Sequence, residues 1–217
     1  MTTPFTIDIW SDLVCPFCYL GEAQLNLALS QFTQRNEVVL RFRAFELDAA
    51  TPKSVDRSLA ELVAHKYNMA LEEAIKFHHR LEAEAASYGL EWHFDQARVG
   101  NTFDGHRLVA LAADQGLGTA MTNRLFRAYF SEGQLLSDHA TLRALADEVG
   151  VRGAAQMLGT DAYADEVRAD EADALELGIT GVPAMLIDGR FLVAGARPPH
   201  ELLEVLERAW ARRAVVG

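Results

Sequence analysis

The chain holds two cysteines, and both fall in one short run, Cys15-Pro16-Phe17-Cys18. Thiols at this spacing cycle between dithiol and disulfide, supply half of a zinc site, or form an inert buried pair. A structural zinc site needs four ligands, drawn from two such pairs or from one pair and a spaced histidine pair. There is no further cysteine. The seven histidines (His65, His78, His79, His93, His106, His139 and His200) include no H-x₃₋₅-H pair, although His78-His79 is a local cluster that reads as a solvated helix face. Ligand count argues against a metal, which leaves redox chemistry against a merely buried pair.

The surrounding residues decide how such a pair is held. Phe5-Thr6-Ile7-Asp8-Ile9-Trp10 alternates and is β-prone, so a strand is expected, followed by a loop over Ser11-Asp12-Leu13-Val14. Pro16 suits a first helical position, where its missing N–H is not needed, and Phe17 to Phe32 reads as a helix. Cys15 then occupies the helix N-cap, where unpaired N–H groups and the helix dipole favour a thiolate. Cys18 follows about one turn later on the same face. The first sulfur attacks or is attacked in a mixed disulfide, and the second resolves it.

Gly181-Val182-Pro183 is the second unusual run. A proline where a loop enters a strand reads as a cis X–Pro bond, as a device that keeps a strand edge open, or as an ordinary trans turn proline. With a cis bond, the Val182 backbone would offer its N–H and C=O to an extended peptide, as in strand addition.

Elements of both periods must position these residues. Val38 to Phe45 is a second strand, giving a β-α-β opening with parallel neighbours. From Val55 to about Gly150 the spacing is helical. Stripes run over Val55, Leu59, Leu62, Val63 and Tyr67, then over Ala74, Phe77, Leu81, Ala85 and Tyr88 up to Gly89. Leu108 to Ala112 suggest a third helix, and Met121 to Phe130 a fourth that stops at Gly133. A fifth is capped by Ser137 and ends at Gly150. A helix from about Asp161 to Leu177 follows. Strands Ala184 to Ile187 and Phe191 to Ala194 are joined by Asp188-Gly189, read as a two-residue hairpin, and Pro198-Pro199 opens a last helix with Leu202, Leu206, Ala209 and Trp210 inward. The order β-α-β … α-β-β-α implies one α/β domain, a four-stranded mixed sheet from 1–50 and 160–217, with 51–159 as an all-helical insertion.

At this point a family resemblance is visible. Ser11-Asp12-Leu13-Val14-Cys15-Pro16-Phe17-Cys18-Tyr19-Leu20-Gly21, with Gly181-Val182-Pro183 downstream and the helical block between, resembles DsbA-type thioredoxin-fold proteins, closest to the FrnE-like branch. Asn101-Thr102-x-x-Gly105-His106-Arg107 and Gly195-Ala196-Arg197 resemble further stretches of that branch. The resemblance implies a thioredoxin-like fold and thiol–disulfide exchange, with Cys15 as nucleophile, Cys18 as resolving thiol and Pro183 as a cis-proline. It also implies that Asn101 and His106 face the substrate; read alone, Asn101-Thr102 is a helix N-cap and His106 a partly buried polar residue. The superfamily contains glutathione-dependent isomerases and kappa-class transferases, which typically have Ser where this chain has Cys15. Periplasmic oxidants of the family carry His between the cysteines. Pro16-Phe17 stands there instead, and phenylalanine cannot stabilise a thiolate electrostatically, so a less oxidising disulfide is expected.

Two carboxylates stand near the cysteines in sequence. Asp8 is a candidate proton shuttle for the resolving thiol, or simply a salt-bridged strand carboxylate, and Asp12 is a candidate tuner of Cys15, or a turn former. Phe17 and Trp10 could rim a substrate site, although Trp10 suits the core better.

Composition bounds the partners. Half of the 217 residues are hydrophobic, and 31 acidic against 20 basic residues leave a net charge of −11, which disfavours nucleic acid and anionic membranes. MTTPFTIDIWSD is unlike a signal peptide and no apolar run would span a bilayer, so a cytoplasmic location is expected. The leading expectation is a thiol–disulfide oxidoreductase or disulfide isomerase acting on protein or peptide thiols and disulfides. It needs no resident cofactor beyond a Cys15–Cys18 disulfide, and glutathione is a candidate co-substrate. The rival enzyme is a glutathione-dependent isomerase or transferase acting on a small aromatic or polyketide-like metabolite. The non-enzymatic rival is a dithiol-bearing chaperone. An exposed C-terminal helix leaves a homodimer open.

Overall fold

In the computed structural model, which describes residues 4–213, Phe5–Ser11 forms strand β1, every second residue of which faces one apolar layer. The first residues of the segment read as lacking a signal peptide, 1–3, lie outside the described residues. Helix α1 (Pro16–Gln31) follows with Pro16 in its first turn, and β2 (Val38–Ala44) then pairs in parallel with β1, Phe5 opposite Val38 through Ser11 opposite Ala44. Next come α2 (Leu59–Lys66), α3 (Leu71–Ser87), α4 (Phe103–Ala113), α5 (Gly118–Phe130), α6 (His139–Val149), α7 (Ala154–Leu158) and α8 (Ala164–Glu176). The hairpin β3 (Ala184–Ile187) and β4 (Phe191–Ala194) and helix α9 (Pro199–Arg213) complete the order. The sheet runs β2-β1-β3-β4, with β3 antiparallel to both β1 and β4. This is the mixed four-stranded sheet of a thioredoxin-like α/β fold.

Contacts divide the chain into two compact units, Met1–Leu47 with Val167–Gly217, and Asp48–Glu166. In the first unit, Phe5, Ile7 and Ile9 pack with Leu25, Ala28 and Phe32 of the α1 region, Met185 and Ile187 of β3, and Leu202, Leu206 and Ala209 of α9. On the other face Trp10 packs with Ala174, Ile179 and Ala184, and its indole N–H donates to the Asp170 carbonyl of α8 over 2.8 Å. Burying such side chains at about 25 cal/mol per Å² is what fixes both layers on the sheet.

Several local expectations shift. The connection from β3 to β4 is Asp188-Gly189-Arg190: Asp188 and Gly189 both have positive φ, and Arg190 N–H closes the turn on the Ile187 carbonyl. Asp188 N–H donates to the Thr6 carbonyl on β1. α6 is capped by Asp138, whose carboxylate accepts the Thr141 N–H, while Ser137 donates instead to the Lys53 carbonyl. α2 starts at Leu59 behind a Ser58/Glu61 capping box and has no fully buried residue, so Val55 lies outside the helix and Tyr67 is exposed. α7 had no signal in the sequence; it is too short to show a period. His78 is not on a solvated face. It is buried against Phe94, ring centroids 4.6 Å apart, and its neighbour His79 is the exposed one.

Candidate active site

β1 delivers the chain to the N-terminus of α1 through a tight turn. Cys15 N–H donates to the Asp12 carbonyl at 3.1 Å, and the Asp12 carboxylate accepts the Leu47 N–H at 2.7 Å, tying the turn to the segment after β2. Leu13 is buried beneath it. Cys15 is the N-cap of α1 in extended conformation, and no side chain caps that helix end, so a thiolate there meets the positive end of the helix dipole. Pro16 fills the first turn, and Phe17 beside it is 41% exposed.

Cys15 and Cys18 are both free thiols, and both are buried. Their environments differ. Burial raises the Cys18 thiol well above its ordinary value, and the adjacent Cys15 adds to that; the nearby Ser11 hydroxyl and Asp12 N–H act in the opposite sense. Cys18 therefore stays protonated at neutral pH. The Cys15 thiol also donates to the Val182 carbonyl oxygen across 3.8 Å.

The Val182–Pro183 peptide bond is cis. The Pro183 carbonyl accepts the Gly195 N–H at 2.8 Å, which pins this loop to the end of β4. Gly21 of α1 supports it from the opposite side: a Cβ at Gly21 would stand 3.1 Å from the Pro183 ring. Only a residue without a side chain lets the helix carrying the cysteines approach the proline loop this closely.

Asp8 lies on the α8 face of the sheet, where its carboxylate binds Arg41 at 2.6 Å and Arg43 at 3.0 Å, and Arg43 continues to Asp170. It is not among the groups acting on Cys18. Asp12 is brought to the dithiol, by its backbone. Asn101 and His106 belong to the second unit. The Asn101 side chain accepts the Phe103 N–H at 2.9 Å at the start of α4, and His106 is buried on that helix. The adjacent Arg107 binds Asp104 and the carbonyls of Met157, Thr160 and Ala162. Among the described residues no group of three His, Cys, Asp or Glu side chains is placed to hold a metal ion.

Two residues with no assigned role in the sequence stand at this site, Ser11 beside Cys18 and Gly21 against Pro183. The signal for Ser11 was a hydroxyl where the apolar row Phe5, Ile7, Ile9 should continue. For Gly21 it was a glycine inside a helix, which costs stability unless packing needs it.

A dithiol at the N-terminus of the first helix of a β2-β1-β3-β4 sheet, facing a cis-proline loop, defines a thioredoxin-fold protein. Residues 6–207 match the DSBA-like thioredoxin domain, and the chain belongs to that family. The crystal structure of a probable DsbA oxidoreductase from Streptomyces coelicolor is 36% identical, with a TM-score of 0.91 over 95% of this chain and 90% of that one. The uncharacterized protein YwbO of Bacillus subtilis is 27% identical over 197 residues, 88% of this chain and 90% of YwbO. The cytosolic disulfide reductase DsbM of Pseudomonas aeruginosa, solved with GSH, is 22% identical and shares the fold, with a TM-score of 0.66 over 95% of this chain and 99% of that one. Among the described residues no helix is long and apolar enough to cross a membrane.

Proposed function

We propose that the chain is a thiol–disulfide oxidoreductase that reduces or isomerises disulfides of protein or peptide substrates through Cys15 and Cys18. One observation carries this reading: two adjacent buried thiols are placed differently, Cys15 capping the N-terminus of α1 and Cys18 one turn inside it, where burial holds its proton. That asymmetry assigns the roles. The Cys15 thiolate attacks a substrate disulfide, the substrate S–S bond breaks, and one substrate sulfur leaves with the electron pair and takes up a proton. Cys18 then loses its proton and attacks the Cys15 sulfur. The Cys15–Cys18 bond forms, and the second substrate thiolate is released. In isomerisation the released thiolate attacks elsewhere before Cys18 acts.

Turnover requires a reductant for the Cys15–Cys18 disulfide. Two glutathione molecules serve, becoming one glutathione disulfide, a role in line with the GSH-bound structure of DsbM. We place the activity in the cytoplasm, as for that reductase. A glutathione-dependent isomerase needs one group to engage glutathione and makes no use of a resolving thiol buried beside it, so the paired thiols favour exchange chemistry.

The test is insulin reduction with glutathione by the wild type, Cys15→Ser and Cys18→Ser. Cys15→Ser should lose the activity, and Cys18→Ser should accumulate mixed disulfides. Full activity in Cys15→Ser would falsify the reading.

A further inference from the structure

Strand alternation divides the side chains of β1 between two faces. Asp8 and Trp10 face α8, whereas Phe5, Ile7 and Ile9 face the layer that contains α1. Ser11 is next in that second row, and it is as buried as its apolar predecessors, at 3% exposure. The register confirms its place at the strand end, opposite Ala44. Burying a hydroxyl without a partner is unfavourable, so an apolar residue would continue the row at less cost. The groups around the Cys18 sulfur explain the exception: they are the Cys15 thiol, the Asp12 N–H and the Ser11 hydroxyl. Among the described residues the Ser11 Oγ has no hydrogen-bond partner, so its proton is uncommitted while Cys18 remains a thiol.

We propose that Ser11 positions and stabilises the resolving sulfur: its hydroxyl donates a hydrogen bond to the Cys18 thiolate while that thiolate attacks the mixed disulfide at Cys15. The proposal rests on the dithiol reading above and adds a residue to it. A neutral thiol gives a nearby hydroxyl little reason to commit its proton, whereas a buried thiolate rewards the same donor strongly. Ser11 and the Asp12 N–H then form a small preorganised cradle for charge that exists only during resolution. Ser11 moves no proton itself. The Cys18 proton passes to solvent, the Cys15–Cys18 bond forms, the Cys15–substrate bond breaks, and the leaving thiolate carries away the electron pair.

Both steps are visible with 5,5′-dithiobis(2-nitrobenzoate) as the substrate disulfide. Attack by Cys15 releases one coloured thiolate, and resolution by Cys18 releases a second, so stopped-flow absorbance reads them as successive phases. Ser11→Ala should keep the first phase and slow the second about threefold at neutral pH. Loss of the donor by about one pKa unit lowers the thiolate fraction tenfold, and the more basic sulfur regains about threefold in nucleophilicity. The pH profile of the second phase should move up by about one unit, and Ser11→Thr should restore it. The isosteric pair Ser11→Thr and Ser11→Val repeats the comparison with packing held constant, should the alanine variant fold poorly. An unchanged second phase in Ser11→Ala and Ser11→Val, or equal slowing of both phases without a shift in pH profile, overturns the proposal. A wild type that releases only one thiolate, or a Cys18→Ser variant that still releases two, instead overturns the dithiol reading beneath it.

Discussion

Replacing Gly21 by alanine sets two opposed effects against each other at one atom. Gly21 lies in the interior of α1, where alanine is favoured by about 1 kcal/mol through helix propensity. The added Cβ would stand 3.7 Å from Ala196 Cα and Cβ, ordinary contact distances, but 3.1 Å from Pro183 Cγ. That last contact requires the proline ring to give by a few tenths of an ångström, and overpacking of this kind costs about 1–3 kcal/mol. The net expectation is a loss of about 0–2 kcal/mol. The ring is not free to yield silently, because the Gly195 N–H holds its carbonyl and the neighbouring Val182 carbonyl faces the Cys15 thiol. A displacement of ~0.3 Å, on a scale where a misplacement of 1 Å costs about a hundredfold, lowers the rate about fourfold. Urea denaturation and insulin reduction on the same preparation of Gly21→Ala measure both quantities. A variant stabilised by about 1 kcal/mol with wild-type reduction refutes the reasoning, since the loop would then yield without consequence for Cys15.

Two further predictions concern the helical unit. Arg107→Ala leaves Asp104 and the carbonyls of Met157, Thr160 and Ala162 without their common donor. Losing the cation of such a buried pair should cost about 3–5 kcal/mol in chemical denaturation, with Arg107→Lys recovering little because an ammonium lacks the planar fork; a loss below about 1 kcal/mol would contradict this account. His78 is held below its ordinary value by burial, with Glu82 acting in the opposite sense and His79 reinforcing the burial. The unfolded chain therefore binds the proton more readily than the folded one, so stability is constant above the ordinary histidine value of 6.5 and declines as pH falls from there toward the folded value. His78→Leu should flatten that part of the profile, and urea midpoints that fall equally in both proteins between neutral and mildly acid pH would disprove it.

Much of the first unit is legible because its signals are local. Alternation marks β1, Pro16 marks the start of α1, and the run from Ala184 to Ala194 declares a hairpin. The helical block is harder. Its stripes over Ala74, Leu81 and Ala85 and over Met121, Leu125 and Tyr129 are real core. The stripe that included Val55 and Tyr67 is not, because the capping box at Ser58 starts the helix later than the hydrophobic spacing suggests. His78 reads as surface because histidine is polar, and the Phe94 ring stacked on it comes from a segment that its own helix spacing does not reveal. Of the two carboxylates flagged near the cysteines, Asp8 is held in ion pairs on the far face of the sheet.

By itself the sequence determined the cysteine pair, its place at a strand-to-helix junction and the mixed sheet that carries it, because each follows from spacing and from proline and glycine along a short stretch of chain. What lies against those thiols was decided only by tertiary structure. The register of β2 on β1 gives Asp8 to Arg41 and Arg43, the facing of β1 gives Ser11 to Cys18, and the approach of α1 to the Val182–Pro183 loop sets Cys15 against a backbone carbonyl. These contacts join residues far apart in the chain. Periodicity says which side of an element is buried, but only sheet order and packing say what it is buried against.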